Sequence, residues 1–117
     1  MLPAEHRLRA SADFGYVIRT GRRAGRATVV LHLAGHRAPE VPAARMGLVV
    51  GRSIGNSVMR HRVSRRLRAQ LAERMARVPA DCDVVVRARP AAAGATSAQL
   101  GADIDSALTR LLLTAAR

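Results

Sequence analysis

Apolar residues recur at every fourth position through the central part of the chain. At about 100° per residue they fall on one side of a helix. Asn56 or Ser57 is suited to cap the start of this helix, and Pro79 limits its end. The residues of this predicted apolar stripe are Met59, Val63, Leu67, Leu71 and Met75.

Two other helices and three strands are predicted from the same patterns. Apolar residues repeat at helical spacing over Ser11–Thr20 and over Ser97–Ala115, where Leu100, Ile104 and Leu108 point inward. Runs of β-branched and aliphatic residues predict strands. These runs occupy residues 27–34, 45–52 and 83–89.

The intervening segments carry turn residues. Residues 21–26 are predicted to form a basic turn, and residues 35–44 and 90–96 are predicted to form loops. The resulting order is αββαβα, with a helix linking two strands. This order predicts an α/β (α+β) sandwich with a small sheet packed on helices, formed by residues 1–117 as one domain.

Positive charge changes this picture, because it is concentrated on one element. The chain has 117 residues and a formal charge of +12, and its 20 basic residues are all arginine. Five arginines lie within nine residues of the central helix: Arg60, Arg62, Arg65, Arg66 and Arg68. Guanidinium groups fit phosphate oxygens and stack on bases, so the helix is predicted to bind a polyanion.

The alternative is an ordinary solvated helix face. Such a face normally mixes charge signs and forms ion pairs along the helix. Between Arg45 and Arg77, however, nine arginines accompany a single acid, Glu73. This imbalance favours a nucleic-acid-binding surface over a solvated one.

Few features support other kinds of chemistry. The eight acids and four histidines show no paired carboxylates, Cys-His arrangement or metal cluster. Asp81 and Asp83 flank Cys82, where a turn or helix-end role is favoured over a metal site. The single cysteine excludes an internal disulfide and fits a cytoplasmic protein. No segment is long and apolar enough to cross a membrane.

Short motifs spread over nearly the whole chain carry a family resemblance. They include Leu2-Pro3, Ser11-x-Asp13-Phe14, Gly21-Arg22-Arg23 and Arg45-Met46-Gly47-Leu48. The most specific motif is Gly55-Asn56-Ser57-Val58 followed by Arg60-His61-Arg62. In order and spacing these motifs resemble the protein subunit of bacterial ribonuclease P.

The resemblance implies a fold and a division of labour. It implies a left-handed β-α-β crossover that holds the basic helix, an exception to the usual hand. It also implies that an RNA subunit carries the catalytic centre and its Mg²⁺, so the protein needs no cofactor of its own. The protein would bind that RNA subunit and the 5′ leader of precursor tRNA, with no membrane and no protein partner required.

The resemblance also implies roles for individual residues. The surface toward the RNA subunit would include Arg60, His61, Arg62, Arg65, Arg66 and Arg68, and the leader cleft would include Phe14, Ile18, His32, Arg52 and Val86. His61, Ile18 and His32 replace the family's usual asparagine, phenylalanine and tyrosine. With fewer aromatic side chains, the cleft is expected to rely more on phosphate contacts.

Alternatives remain open from the residues alone. Phe14, spaced with Val17 and Ile18, is also compatible with an ordinary core position, and His32 with a solvated strand position. A ribosomal protein or RNA chaperone would share the basic charge. A DNA-binding regulator could place the arginine helix in a major groove, but no apolar stripe remains for a dimer surface.

Overall fold

The computed structural model describes residues 3–38 and 40–115. Leu2 of the resemblance and Pro39 of the predicted loop lie outside the described residues. The helices are α1 (Ser11–Thr20), α2 (Ser57–Arg74) and α3 (Ser97–Ala115). The strands are β1 (Arg22–Gly25), β2 (Val29–Gly35), β3 (Arg45–Val49) and β4 (Cys82–Ala88).

The four strands form one mixed sheet in the order β1-β2-β4-β3. β2 pairs antiparallel with both β1 and β4, while β3 pairs parallel with β4. A parallel pair requires a crossover connection, and α2 supplies it between β3 and β4. The predicted α+β class is therefore confirmed, whereas the hand of the crossover stays a prediction.

Helices cover both faces of the sheet. Alternate strand residues such as Leu31, Leu33 and Val84 pack with α2 and α3 in the larger core, because side chains alternate between faces along a strand. On the opposite face, Val85 packs with Leu8 of the N-terminal segment and Val17 of α1. This second face is the one on which part of the candidate site lies.

The first strand differs from the prediction, because residues 21–26 were expected to form only a turn. Within β1, Ala24 alone is buried, while Arg22 and Arg23 are exposed. A short edge strand with charged side chains discourages pairing with other chains, but it lacks the apolar alternation that reveals a strand. The predicted strand over residues 45–52 also ends early, at Val49, and Arg52–Ile54 form a 3₁₀ turn.

The start of α2 is fixed by its two preceding residues. Gly55 has a φ of 141°, a conformation that is almost restricted to glycine. The Asn56 side chain then accepts a hydrogen bond of 2.9 Å from the backbone N–H of Met59, which confirms one of the two predicted caps. Val63, Leu67 and Leu71 are buried as predicted, so the opposite side of α2 faces outward.

Candidate nucleic-acid interface

Three arginines form an exposed line along α2. Arg62, Arg65 and Arg68 are spaced by three residues, which places them on neighbouring turns of one helix face. Within the part of the chain that the structure describes, none of them forms an ion pair. Their charge is therefore available to an external anion. We call these three residues the arginine line.

The other predicted residues of this helix are placed differently. His61 is exposed beside the arginine line, but Arg60 and Arg66 are half-buried. Nη1 of Arg66 donates a hydrogen bond of 2.8 Å to the carbonyl oxygen of Ala95, which ties α2 to the segment before α3. Arg66 thus has a structural contact that its charge alone did not predict, because Ala95 is 29 residues away.

A groove connects the arginine line to α1. Its volume is about 710 Å³, and it is lined by Arg65 and Arg68 of α2 and by Phe14 of α1. The other lining residues are Arg7, Leu8, Arg9, Met46, Gly47, Leu48 and Ala69. Apolar surface flanked by guanidinium groups is suited to a nucleotide, which has a flat base and a charged phosphate.

Phe14 is partly buried and partly accessible. It packs against the small cluster of Leu8, Val17 and Val85 while also lining the groove. Its ring lies so close to Gly47 that a methyl group there would overlap the ring. Gly47 therefore positions the aromatic side chain, a role that sequence reasoning missed because it depends on a contact between distant residues.

His32 is buried, so the alternative of a solvated strand position is wrong. Its side chain lies on the α1 side of the sheet with 2% of the residue exposed. Nε of Arg87 donates a hydrogen bond of 2.9 Å to Nε2 of His32. Burial lowers the pKa of His32, and the positive charges of Arg87 and Arg23 lower it further.

The remaining residues predicted for the leader cleft do not all share this face. Ile18 on α1 is 38% exposed, and Arg52 is exposed in the turn after β3. Val86 is fully buried in the larger core with α2 and α3, on the opposite face of the sheet. Its neighbours Val85 and Arg87 occupy the α1 side instead, because side chains alternate along β4.

The sequence predicts a turn or helix-end role for Asp83, but the residue lies in β4 at the centre of a buried ion network. It is 1% exposed. Nε and Nη2 of Arg45 donate to its two carboxylate oxygens at 3.0 and 2.8 Å, and Nδ1 of His36 lies 2.8 Å from Oδ1. Asp13 of α1 joins the network through Arg37 and Arg45. The network joins α1 to β3, to β4 and to the segment that follows β2.

The described residues offer little other chemistry. Burial raises the pKa of the Cys82 thiol to about 11, and nearby Asp81 adds to this effect, so the thiol is a weak nucleophile. Across residues 3–38 and 40–115, no three His, Cys, Asp or Glu side chains are grouped to hold a metal ion. None of the helices in this part of the chain could span a membrane.

The fold and the arginine line define a small basic protein whose surface is suited to a nucleic acid. Residues 2–112 match the ribonuclease P family model. The chain is 47% identical to the ribonuclease P protein component of Streptomyces griseus, with 100% of both chains covered. It is 48% identical to that of Corynebacterium diphtheriae, with 95% of this chain and 97% of the relative covered.

Solved structures show the same fold at lower identity. An RNase P protein from Staphylococcus aureus aligns with a TM-score of 0.76 at 23% identity, covering 94% of both chains. One from Thermotoga maritima aligns with a TM-score of 0.72 at 21% identity, covering 90% of this chain and 94% of that one. The chain belongs to the family of bacterial ribonuclease P protein components, subunits of an endoribonuclease that processes tRNA and contains an RNA subunit.

Proposed function

We propose that this chain binds the RNA subunit of ribonuclease P through the arginine line. The observation that carries this proposal is the alignment of Arg62, Arg65 and Arg68 on the exposed side of α2, where none of them pairs with an acid among the described residues. Each guanidinium can neutralise one phosphate and present two parallel donors to it. His61 and the accessible part of Arg60 lie beside the line and extend the same surface.

The α1 side of the molecule is proposed to receive the 5′ leader of precursor tRNA. Phe14 lines the same groove as Arg65 and Arg68, so a strand in the groove would contact both the arginine line and α1. Ile18 adds an exposed apolar side chain on the same helix. Because Val86 lies on the opposite face, we leave it out of this surface and include Arg87.

The proposed role is to assist the reaction rather than to perform it. Three of the acidic side chains are engaged in contacts within the protein. Asp83 and Asp13 bind arginines, and Asp103 accepts a hydrogen bond from Thr28. The chain would hold the leader and the RNA subunit together, while the RNA subunit cleaves the substrate to give the mature 5′ end of the tRNA. Positive charge between two polyanions reduces their repulsion and thereby the need for screening cations.

Phe14→Leu tests the leader surface without a large change in packing. Leucine keeps most of the apolar volume, so the free energy of unfolding is expected to fall by less than about 1.5 kcal/mol. The holoenzyme containing this variant is expected to bind precursor tRNA more weakly, by up to about 10-fold if one stacked base is lost. Binding should be measured at one salt concentration for precursor tRNA, mature tRNA and the RNA subunit.

The three affinities separate contact from packing. Mature tRNA lacks the leader, so its affinity and that of the RNA subunit should stay at the wild-type values. Equal losses for all three RNAs, or a large fall in melting temperature, would show that Phe14 acts only as a core residue. The leader surface would then be wrongly placed at α1.

A further inference from the structure

A buried histidine on the α1 side of the sheet holds an arginine of the neighbouring strand. The register places Arg23 of β1, His32 of β2 and Val85 of β4 side by side in one row. The next row contains Val30 and Arg87. Residues in register share a face of the sheet, so Arg23 and Arg87 lie on either side of His32.

The hydrogen bond between Arg87 and His32 determines the protonation state of the imidazole. Arginine remains protonated in proteins, so Nε of Arg87 can only donate. Nε2 of His32 must therefore accept, and the ring must be neutral with its proton on Nδ1. That Nδ1 atom is buried and has no hydrogen-bond partner among the described residues, so the bond to Arg87 is the one polar contact that they provide for this ring.

The same bond leaves one edge of the Arg87 guanidinium unused. The bond to His32 occupies Nε, and the structure shows no other hydrogen bond or ion pair for this side chain among the described residues. Two acids on this side of the sheet are engaged elsewhere, because Asp83 binds Arg45 and His36, and Asp13 binds Arg37. Two terminal nitrogens with fixed orientation form a fork that matches two phosphate oxygens.

The surroundings of Arg87 are open. In its row, Gly25 of β1 and Val49 of β3 are exposed, and Arg23 beside His32 is exposed as well. α1, the helix that covers this face, buries Val17 and Asp13 and leaves Ile18 exposed at the edge. A single strand lying along α1 would therefore reach both arginines with its phosphates.

We propose that Arg87 binds a backbone phosphate of the precursor tRNA leader and that neutral His32 is its positioning residue, with Arg23 as a second cation. This inference rests on the proposed function, since it assigns a contact within the same leader surface. His32 does not touch the RNA. It holds the guanidinium in one orientation, which reduces the conformational entropy lost when the phosphate binds.

Acid pH should break this arrangement. Protonated His32 cannot accept from Arg87, and it would add a third positive charge between Arg87 and Arg23. Because burial lowers the pKa of His32 below the ordinary value of 6.5, the hydrogen bond persists at neutral pH and is lost only in acid. Acid pH should also lower the free energy of unfolding. The unfolded chain takes up the His32 proton at a higher pH than the folded chain does, so the fold loses stability as the pH falls below about 6.5.

The experiment uses the holoenzyme with precursor and mature tRNA. Arg87→Gln removes the charge, and His32→Leu removes the acceptor. His32→Gln keeps an acceptor oxygen, and Arg77→Gln is the control because Arg77 is already paired with Asp105. At about 0.1 M salt, Arg87→Gln is expected to lower the affinity for precursor tRNA by about 10-fold, the value of one phosphate contact. Arg77→Gln should leave it unchanged, and no variant should alter the affinity for mature tRNA.

Coupling between the two residues is the decisive readout. His32→Leu should weaken the binding of precursor tRNA. The double variant with His32→Leu and Arg87→Gln should bind no more weakly than Arg87→Gln alone. His32→Gln should keep most of the wild-type affinity and should not show the loss of affinity that the wild type shows in acid. Additive losses, wild-type affinity for Arg87→Gln, or equal losses with mature tRNA would overturn the inference. If His32→Leu does not fold, Arg87→Gln and the pH dependence of His32→Gln still decide. A wild-type holoenzyme that binds both tRNAs equally would instead refute the proposed leader surface itself.

Discussion

Replacement of Arg62, Arg65 and Arg68 together by alanine is expected to weaken binding to the RNA subunit by on the order of 10²- to 10³-fold at about 0.1 M salt. Each lost phosphate contact should lower the slope of log affinity against log salt by about 0.9, or about 2.7 for all three. The three side chains point away from the core formed by Val63, Leu67 and Leu71, so the fold should persist. The measurement is a titration of the RNA subunit at several salt concentrations.

Arg77→Ala provides a control for the loss of arginine itself. Its guanidinium lies at the other end of the helical segment and already donates to Asp105 and Thr109. This variant should bind the RNA subunit with almost the wild-type slope. If the triple variant keeps the wild-type slope while its circular dichroism is unchanged, the arginine line does not face the RNA subunit.

Replacement of Asp83 by alanine is expected to cost about 3–5 kcal/mol of folding free energy, the usual effect of removing one partner of a buried ion pair. Arg45 would be left in a largely buried position without its carboxylate, and His36 would lose the same acceptor. This loss is a large part of the free energy of unfolding of a typical folded domain, which is roughly 5–15 kcal/mol. Chemical denaturation monitored by circular dichroism measures it.

Asp81→Ala is the matched control, because it removes a carboxylate two residues away. Asp81 is exposed, and its contact is with the thiol of Cys82. A surface substitution of this kind should change stability by only about 0.5 kcal/mol. Equal effects of the two substitutions would contradict the assignment of Asp83 as the centre of a network that stabilises the fold.

The two longest helices were predicted correctly because their apolar residues have a strong period. α2 and α3 have apolar residues at helical spacing, and their inward residues are buried as the spacing indicates. β4 illustrates the opposite case. Val84, Val85 and Val86 are all fully buried because helices cover both faces of this central strand, so the sequence contains no alternation from which the two faces could be distinguished. This is why the sequence could not show that Val86 lies on the opposite face of the sheet from Val85.

The candidate site was predictable only where its chemistry is local. The arginine line lies on one helix and is visible in the sequence as a cluster of charge. The contacts of Asp83 join residues 38 and 47 positions apart, and the bond between Arg87 and His32 spans 55. Such contacts depend on the order of strands in the sheet, which hydrophobic patterning does not specify.

Cleavage of precursor tRNA by the cognate RNA subunit, with and without this chain, is the most direct test of the division of labour. The protein alone, free of RNA, should leave the substrate intact. With the RNA subunit, it should lower the Mg²⁺ concentration required for removal of the leader, because its arginines replace part of the cation screening. Cleavage by the RNA-free protein, or a Mg²⁺ requirement that the protein does not change, would contradict the account.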